Sequence, residues 1–454
     1  MLIRFTVENW RSYRDKTVLN FVANREKQHS ERVAESGKSN LRLLPCIAIY
    51  GGNASGKSNI VKALQFAKWM IVAGPAVNRS IPIETFRMDS QSRQKPVSFS
   101  FEIIVSDEKD KNNSDIFEYS FVLARNKVQK EKLILVKSNS EVTLFDRSLD
   151  EKTGSIYTVD FDSSIRKDTV LRSVLESTRD NQLFLTNAAS QNVSKYNKHK
   201  FLGVFSWFTR LTCITPDTIQ GRSFVQQKDE IANYLRLCGT GIVDFGLENV
   251  DPKSIEIPQR ILDRLTQEPS ILNLPGTSGR RLVCRRNDEG NIEVQKFVTY
   301  HSGDSDENIP FDTREESDGT LRVMELLPRF IDASQSESEQ VVVIDELDRS
   351  LHSLLLRGLL EGYLSSCNKD SRSQLIFTTH DLYQMDQNLF RRDEMWVTER
   401  KNDGSTELIP LSSFRQIRSD TVIRNLYLNG HVGGIPKISF TGSFSNTNEE
   451  GAGE

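Results

Sequence analysis

The sequence predicts an α/β fold in which a mixed sheet with flanking helices carries a phosphate-binding loop and is interrupted by an antiparallel β-lobe and an inserted helical domain. Three observations predict it. An apolar strand runs into a glycine-rich turn and then a helical pattern near residue 50, a second apolar strand far downstream ends in two carboxylates, and strict apolar–polar alternation fills much of the stretch from Val97 to Val136. The 454 residues leave room for two or three structural units. Lysine plus arginine is 59 against 62 for aspartate plus glutamate, a net charge of −3, which excludes a uniformly basic nucleic-acid coat while leaving room for a local basic patch. An apolar fraction of 37 % beside 27 % charge predicts a globular core with solvated insertions.

Taken in chain order, Leu2 to Val7 reads as a strand with Thr17 to Val22 as its hairpin partner, and Leu44 to Tyr50 as a short buried strand. A helical pattern runs from Ser58 to about Met70. Val97 to Val105 and Ile116 to Leu123 alternate with period two, and the polar run 107–115 between them reads as a solvated hairpin tip; Lys132 to Val136 continues the lobe. From about Arg166 to Leu265 apolar residues recur at helical spacing, and strand-like material returns from Arg281 to Tyr300. Helix, apolar strand, helix and strand then follow over about Thr320 to Val397, and the polar end, 441–454, reads as a frayed tail. The predicted units are 1–80 (first part of the head), 81–165 (β-lobe), 166–299 (mainly helical insertion), 300–432 (second part of the head) and 433–454 (tail).

The five cysteines, Cys46, Cys213, Cys238, Cys284 and Cys367, form no CxxC pair, so buried free thiols in a reducing cytosol are expected. The charged N-terminus does not resemble a signal sequence, and no run of about 18 apolar residues occurs that would cross a membrane. A cytoplasmic protein is therefore expected.

Gly51, Gly52, Asn53, Ala54, Ser55, Gly56, Lys57 and Ser58 spell a complete G-x-x-x-x-G-K-S, followed by Asn59 and set between a strand and a helix. Such a loop turns its N–H groups and the helix N-terminus toward one anionic site that suits the phosphates of ATP, with Lys57 as a cation and the Ser58 hydroxyl for Mg2+. The run 341–346 supplies the acidic partner: four apolar residues, then Asp345 to hold the metal and Glu346 to polarise the attacking water as general base. His380 closes the next apolar strand, where its imidazole would meet the terminal phosphate or that water. Upstream, Ser317, Asp318 and Gly319 open an apolar-periodic helix; Ser317 is a good N-cap, and the same turn would make a second anion site.

This order of motifs, with Asp348 in LDRSLH after the acidic strand, resembles the ABC-type ATPases. The V-E-N-W-R-S-Y strand, GGNASGKSN, FRMD, NQLFLTNA, ESDG, DELDRSLH and TTHD together resemble the RloA- and OLD-like ATPases of bacterial phage-defence operons, over about 430 residues. The resemblance implies an ABC-type P-loop NTPase head that works as a head-to-tail homodimer. ATP would lie between one copy's phosphate loop and the other's Ser317, Asp318 and Gly319, with Asp348 crossing the dimer axis and His380 sensing the γ-phosphate. It further implies an antiviral role with a separate effector protein, a nuclease as in PARIS-type pairs, and a phage protein as trigger.

The signature reads E-S-D-G-T rather than L-S-G-G-Q, and no glutamine loop is assignable, Gln91 and Gln94 being weak candidates. About 260 residues without heptads separate phosphate loop and signature, so long coiled-coil arms are not expected. About 75 residues follow His380, too few for a fused Toprim nuclease, which again suggests a separate effector. Two alternatives stand beside the switch. One is a RecF-like ATPase that clamps DNA through basic stretches such as 280–286 and Arg391–Arg392; the other is an assembly scaffold that binds ATP and hydrolyses it slowly. Arg11 and Arg14, in the first hairpin, stand where they could reach the nucleotide, but they read first as ordinary surface arginines.

Overall fold

In the computed structural model, described over residues 1–36, 41–106, 114–150, 157–166, 168–191, 198–215, 227–251, 272–275, 281–286, 291–304, 307–414, 417 and 421–435, every residue of the strands Cys46–Tyr50, Val341–Ile344 and Gln374–Thr378 is buried. Burial on both faces follows from their apolar sequences and from helices on either side. Ile47, Ile49, Val341, Val343 and Ile376 face the helix Lys57–Val72 within one hydrophobic cluster. Their neighbours Ala48, Tyr50, Val342, Ile344 and Phe377 point the other way, into a second cluster built with the helices Asp318–Ser334 and Ser353–Ser366.

The core sheet has the order Leu211–Ile214, Val341–Ile344, Gln374–Thr378, Cys46–Tyr50, Met395–Arg400, Thr406–Pro410; the first five strands are parallel and the last is antiparallel. One strand therefore separates the phosphate-loop strand from the acidic strand, and it is the strand that leads to His380. All three chemistry-bearing loops leave the same, C-terminal, edge of the sheet, where ligands of parallel α/β sheets are bound.

The antiparallel lobe is a seven-stranded sheet in the order Tyr157–Phe161, Glu141–Leu149, Val128–Val136, Ser114–Leu123, Val97–Ser106, Leu2–Glu8, Thr17–Asn20. The N-terminal hairpin forms as expected, pairing Arg4 with Asn20, yet it belongs to this sheet rather than to the head sheet, because Leu2–Glu8 also pairs with Val97–Ser106. Helices Phe184–Ser190 and Lys198–Arg210 cover the lobe through aromatic contacts such as Phe101–Phe208 and Phe145–Phe184, with centroids at 4.9 and 5.0 Å.

The stretch 166–299 departs from the mainly helical expectation. Helices occupy Thr169–Glu176, Phe184–Ser190, Lys198–Arg210 and Lys228–Leu237, but Leu211–Ile214 is an edge strand of the core sheet. From Ile242 onward the chain forms an antiparallel sheet in the order Ile242–Val250, Ile292–Ser302, Arg281–Arg286, Leu272–Pro275, with Asn308–Asp312 beside Ile292–Ser302. A four-residue run with three apolar members after a helix has no period of its own, so only its pairing with residues 341–344 makes it a strand. The hairpin tip lies outside the described residues over 107–113, as does the tail beyond 435. Four of the five free cysteines are buried, and among the described residues no helix is long and apolar enough to cross a membrane.

Candidate active site

At the end of the strand Cys46–Tyr50 the loop folds back and Gly56, at φ 108°, delivers the chain into the helix that starts at Lys57. A Cβ at Gly56 would lie 2.3 Å from the Thr406 hydroxyl, so only glycine fits both the dihedral and the close approach. The same hydroxyl sits 2.8 Å from both the Ser55 carbonyl and the Ser12 hydroxyl, and Asn59 donates to Ser12 at 2.8 Å. Ser55 in turn lies 2.6 Å from the Thr398 hydroxyl. The loop is thus fixed by the two strands beside it and by the turn after the first strand.

Lys57 is buried, and its ammonium donates to the Gly51 and Gly52 carbonyls at 2.7 and 3.0 Å, with His380 Nδ1 at 3.4 Å. Burial pulls its pKa down to about 8, although Asp345, Asp348 and Glu346 lie near enough to oppose the shift. His380 is also lowered, first by burial and then by Lys57, which keeps its ring neutral at physiological pH.

Asp345 is buried and accepts from the Thr378 hydroxyl at 2.6 Å, while Thr378 Oγ1 accepts from the Glu346 amide at 2.8 Å. Glu346 has φ 50°, a left-handed backbone that costs of order 1–3 kcal/mol in a residue other than glycine and that clusters at functional positions. Arg322, buried on the helix Asp318–Ser334, donates to the Asp345 and Glu346 carbonyls at 3.4 and 3.2 Å. Asp348 accepts from the backbone amide of His380 in its own chain, at 3.3 and 3.2 Å.

These groups converge on a cleft of about 530 Å3 lined by Asn53 to Asn59, Glu346 and His380, together with Arg11, Phe86, Arg87, Met88 and Arg400. The predicted phosphate loop, acidic strand and histidine are therefore brought together. Ser317, Asp318 and Gly319 are not part of this cleft. Ser317 caps the helix by accepting from the Thr320 amide at 3.1 Å, and a Cβ at Gly319 would lie 2.8 Å from the Ser350 carbonyl. Neither Gln91 nor Gln94, on the short helix Ser90–Gln94, lines the cleft.

Of the two hairpin arginines set aside as surface charge, Arg11 lines the cleft and Arg14 does not. The Arg11 guanidinium is held by Glu84 at 2.5 Å, a partner more than seventy residues away that no local sequence signal reveals. Arg391 and Arg392, offered as nucleic-acid contacts, serve otherwise. Arg391 is fully buried against Asp393 at 2.8 Å and the Gln28 carbonyl at 2.7 Å, and Arg392 pairs with Glu26 at 2.6 Å.

Residues 46–199 and 240–386 match the family described as "AAA domain, putative AbiEii toxin, Type IV TA system". The chain belongs to that family. Its fold is α/β, with a mixed sheet flanked by helices around the phosphate loop. Among solved structures, the SMC head domain from Thermotoga maritima is 14% identical, with 90% of this chain and 98% of that chain covered at a TM-score of 0.33. The SmcHead bound to the C-winged helix domain of ScpA is 13% identical, with 91% and 99% covered at a TM-score of 0.41. Among curated proteins, none matches this chain.

Proposed function

We propose that this AAA-family chain is an ATP-hydrolysing switch in bacterial defence against phage, with a separate effector protein as its output. The observation that supports it most is the convergence of Lys57, Glu346 and His380 on one cleft under the phosphate loop. A buried ammonium held near pKa 8, hydrogen-bonded to two loop carbonyls and beside a histidine, with the carboxylates of 345–348 nearby, is a site that an anionic ligand completes. Magnesium fits the donor set. It takes one or two protein oxygens beside phosphate oxygens, so Ser58 and Asp345 suffice, and among the described residues no larger acidic cluster is present. When bound, it neutralises charge on the two terminal phosphates.

In this reading the amides of Asn53, Ala54, Gly56, Lys57 and Ser58 hold the phosphates, and Asn59 steadies the loop through Ser12. Lys57 adds a positive charge where it is least screened. Glu346 takes the proton from the attacking water, and neutral His380 offers a ring nitrogen to the same region. Ser317, Asp318 and Gly319, standing outside their own chain's cleft, would act on a second copy's nucleotide, so the working form is a head-to-tail dimer. Asp348, bonded within its own chain, would reach the dimer axis only by releasing the His380 amide. An effector nuclease and a phage trigger protein follow from resemblance to RloA-like and PARIS-type systems. The DNA-clamp alternative loses its Arg391–Arg392 support, since both side chains are spent on internal ion pairs.

Light scattering of the Glu346→Gln chain tests the switch. Its mass should double on adding ATP with magnesium and stay single with ADP. A single mass with ATP demonstrably bound would remove the dimer from the proposal.

A further inference from the structure

The Asp345–Glu346 segment is held from two directions. The sheet holds its amides: Asp345 N–H donates to the Ile214 carbonyl at 2.9 Å and Glu346 N–H to the Thr378 hydroxyl at 2.8 Å. Arg322 of the helix Asp318–Ser334 holds its carbonyls, at 3.4 Å to Asp345 and 3.2 Å to Glu346. The guanidinium is itself oriented by Glu325, one turn further along, at 3.0 Å. Its Nε is buried and finds no acceptor among the described residues, so the Nη contacts set its orientation. Glu346, the residue between these restraints, carries the left-handed φ of 50°.

We infer that Arg322 is a positioning residue that ties the orientation of Glu346 to the helix whose first turn carries Ser317, Asp318 and Gly319. A second contact between the same two segments runs in parallel, where Gly319 packs against the Ser350 carbonyl so closely that a Cβ would lie 2.8 Å away. The helix therefore touches the segment after the acidic strand at both ends, 345–346 and 350. A strained turn persists only while its surroundings over-determine it, and here one side of that surrounding is the first turns of the helix Asp318–Ser334. A partner pressing on the Ser317 turn would move Arg322 with it, and with Arg322 the Asp345 and Glu346 carbonyls, which belong to the two peptide links flanking the Glu346 side chain. The inference rests on Glu346 being the general base, as proposed above. It adds that a chain's base is set by the same helix that presents the signature turn to a second copy.

The experiment compares wild type, Arg322→Met, Arg322→Lys and Glu346→Gln by amide exchange without nucleotide and by ATP turnover. In the nucleotide-free chain, Arg322→Met should speed exchange across 345–349 about tenfold while the helix Ser353–Ser366 keeps its protection. Turnover should fall about 10- to 100-fold in kcat with KM within about twofold, since the misplacement is of the base and not of the phosphate loop. Arg322→Lys, which keeps a donor, should recover part of both. Should Arg322→Met not fold, the lysine variant decides. Faster exchange confined to 345–349 supports the inference, and a uniform rise along the chain overturns it. Local loosening with unchanged kcat, while Glu346→Gln has lost hydrolysis, overturns the inference alone. Wild-type hydrolysis by Glu346→Gln overturns the reading of the base, and the inference with it.

Discussion

Glu131 in the antiparallel lobe and Lys57 in the phosphate loop are both buried ionisable groups, yet their surroundings are of opposite kinds. Glu131 accepts from the Tyr119 hydroxyl at 2.8 Å and from the amides of Phe184 and Leu185 at 2.6 and 3.0 Å, and Arg147 stands 3.6 Å away. Arg147 is closed off in turn by the Gln182 carbonyl at 3.0 Å and the ring of Tyr157 at 4.0 Å. Its carboxylate thereby caps the helix Phe184–Ser190 and pins it to the sheet, even though burial pushes its pKa up. Lys57 has no counterpart of that cage. It borrows loop carbonyls, faces the carboxylates that follow the strand Val341–Ile344, and sits beside a left-handed Glu346. One cluster is finished within the chain and stabilises it; the other, under the proposed function, is finished by nucleotide.

That contrast breaks if either cluster behaves like the other. Glu131→Ala strands the Arg147 guanidinium and two helix amides, and should cost about 3–5 kcal/mol of stability in chemical denaturation while nucleotide affinity stays within about twofold. Lys57→Ala should do the reverse, weakening nucleotide binding in calorimetry about 100-fold, or about 2.7 kcal/mol, with no loss of stability in the nucleotide-free chain. The same substitution also sharpens the pH argument. Lys57 is held near pKa 8 when folded and titrates near 10.5 when unfolded, so between those values the unfolded chain binds more protons and stability rises with pH. Melting curves from pH 8 to 10 should show that rise to be smaller in Lys57→Ala than in wild type. The smallest effect belongs to Ser317→Ala, which removes an N-cap and should cost about 1 kcal/mol in the denaturation midpoint.

Much of the site was legible because its signals are local. A strand of five buried residues, a glycine turn and a helix are contiguous at 46–72, and the acidic pair and His380 each follow an apolar strand directly. What stayed hidden depends on distant chain. Leu211–Ile214 becomes a strand only through a partner at 341–344, and Thr378 is an ordinary strand residue until Asp345 and Glu346 arrive beside it. Arg322 looks like any helix arginine until its carbonyl partners are known. Arg391 and Arg392 read as surface charge because Glu26 and Gln28, which neutralise or accept from them, come from the other end of the chain. The mixed character of 166–299 was missed because short apolar runs carry no reliable period.

The most direct test is ATP turnover by Glu346→Gln, measured beside nucleotide affinity in the same preparation. Hydrolysis should fall about 10²- to 10⁴-fold, the range for losing a general base, with affinity within about twofold of wild type. Hydrolysis at the wild-type rate would contradict the account and place the base elsewhere in the cleft.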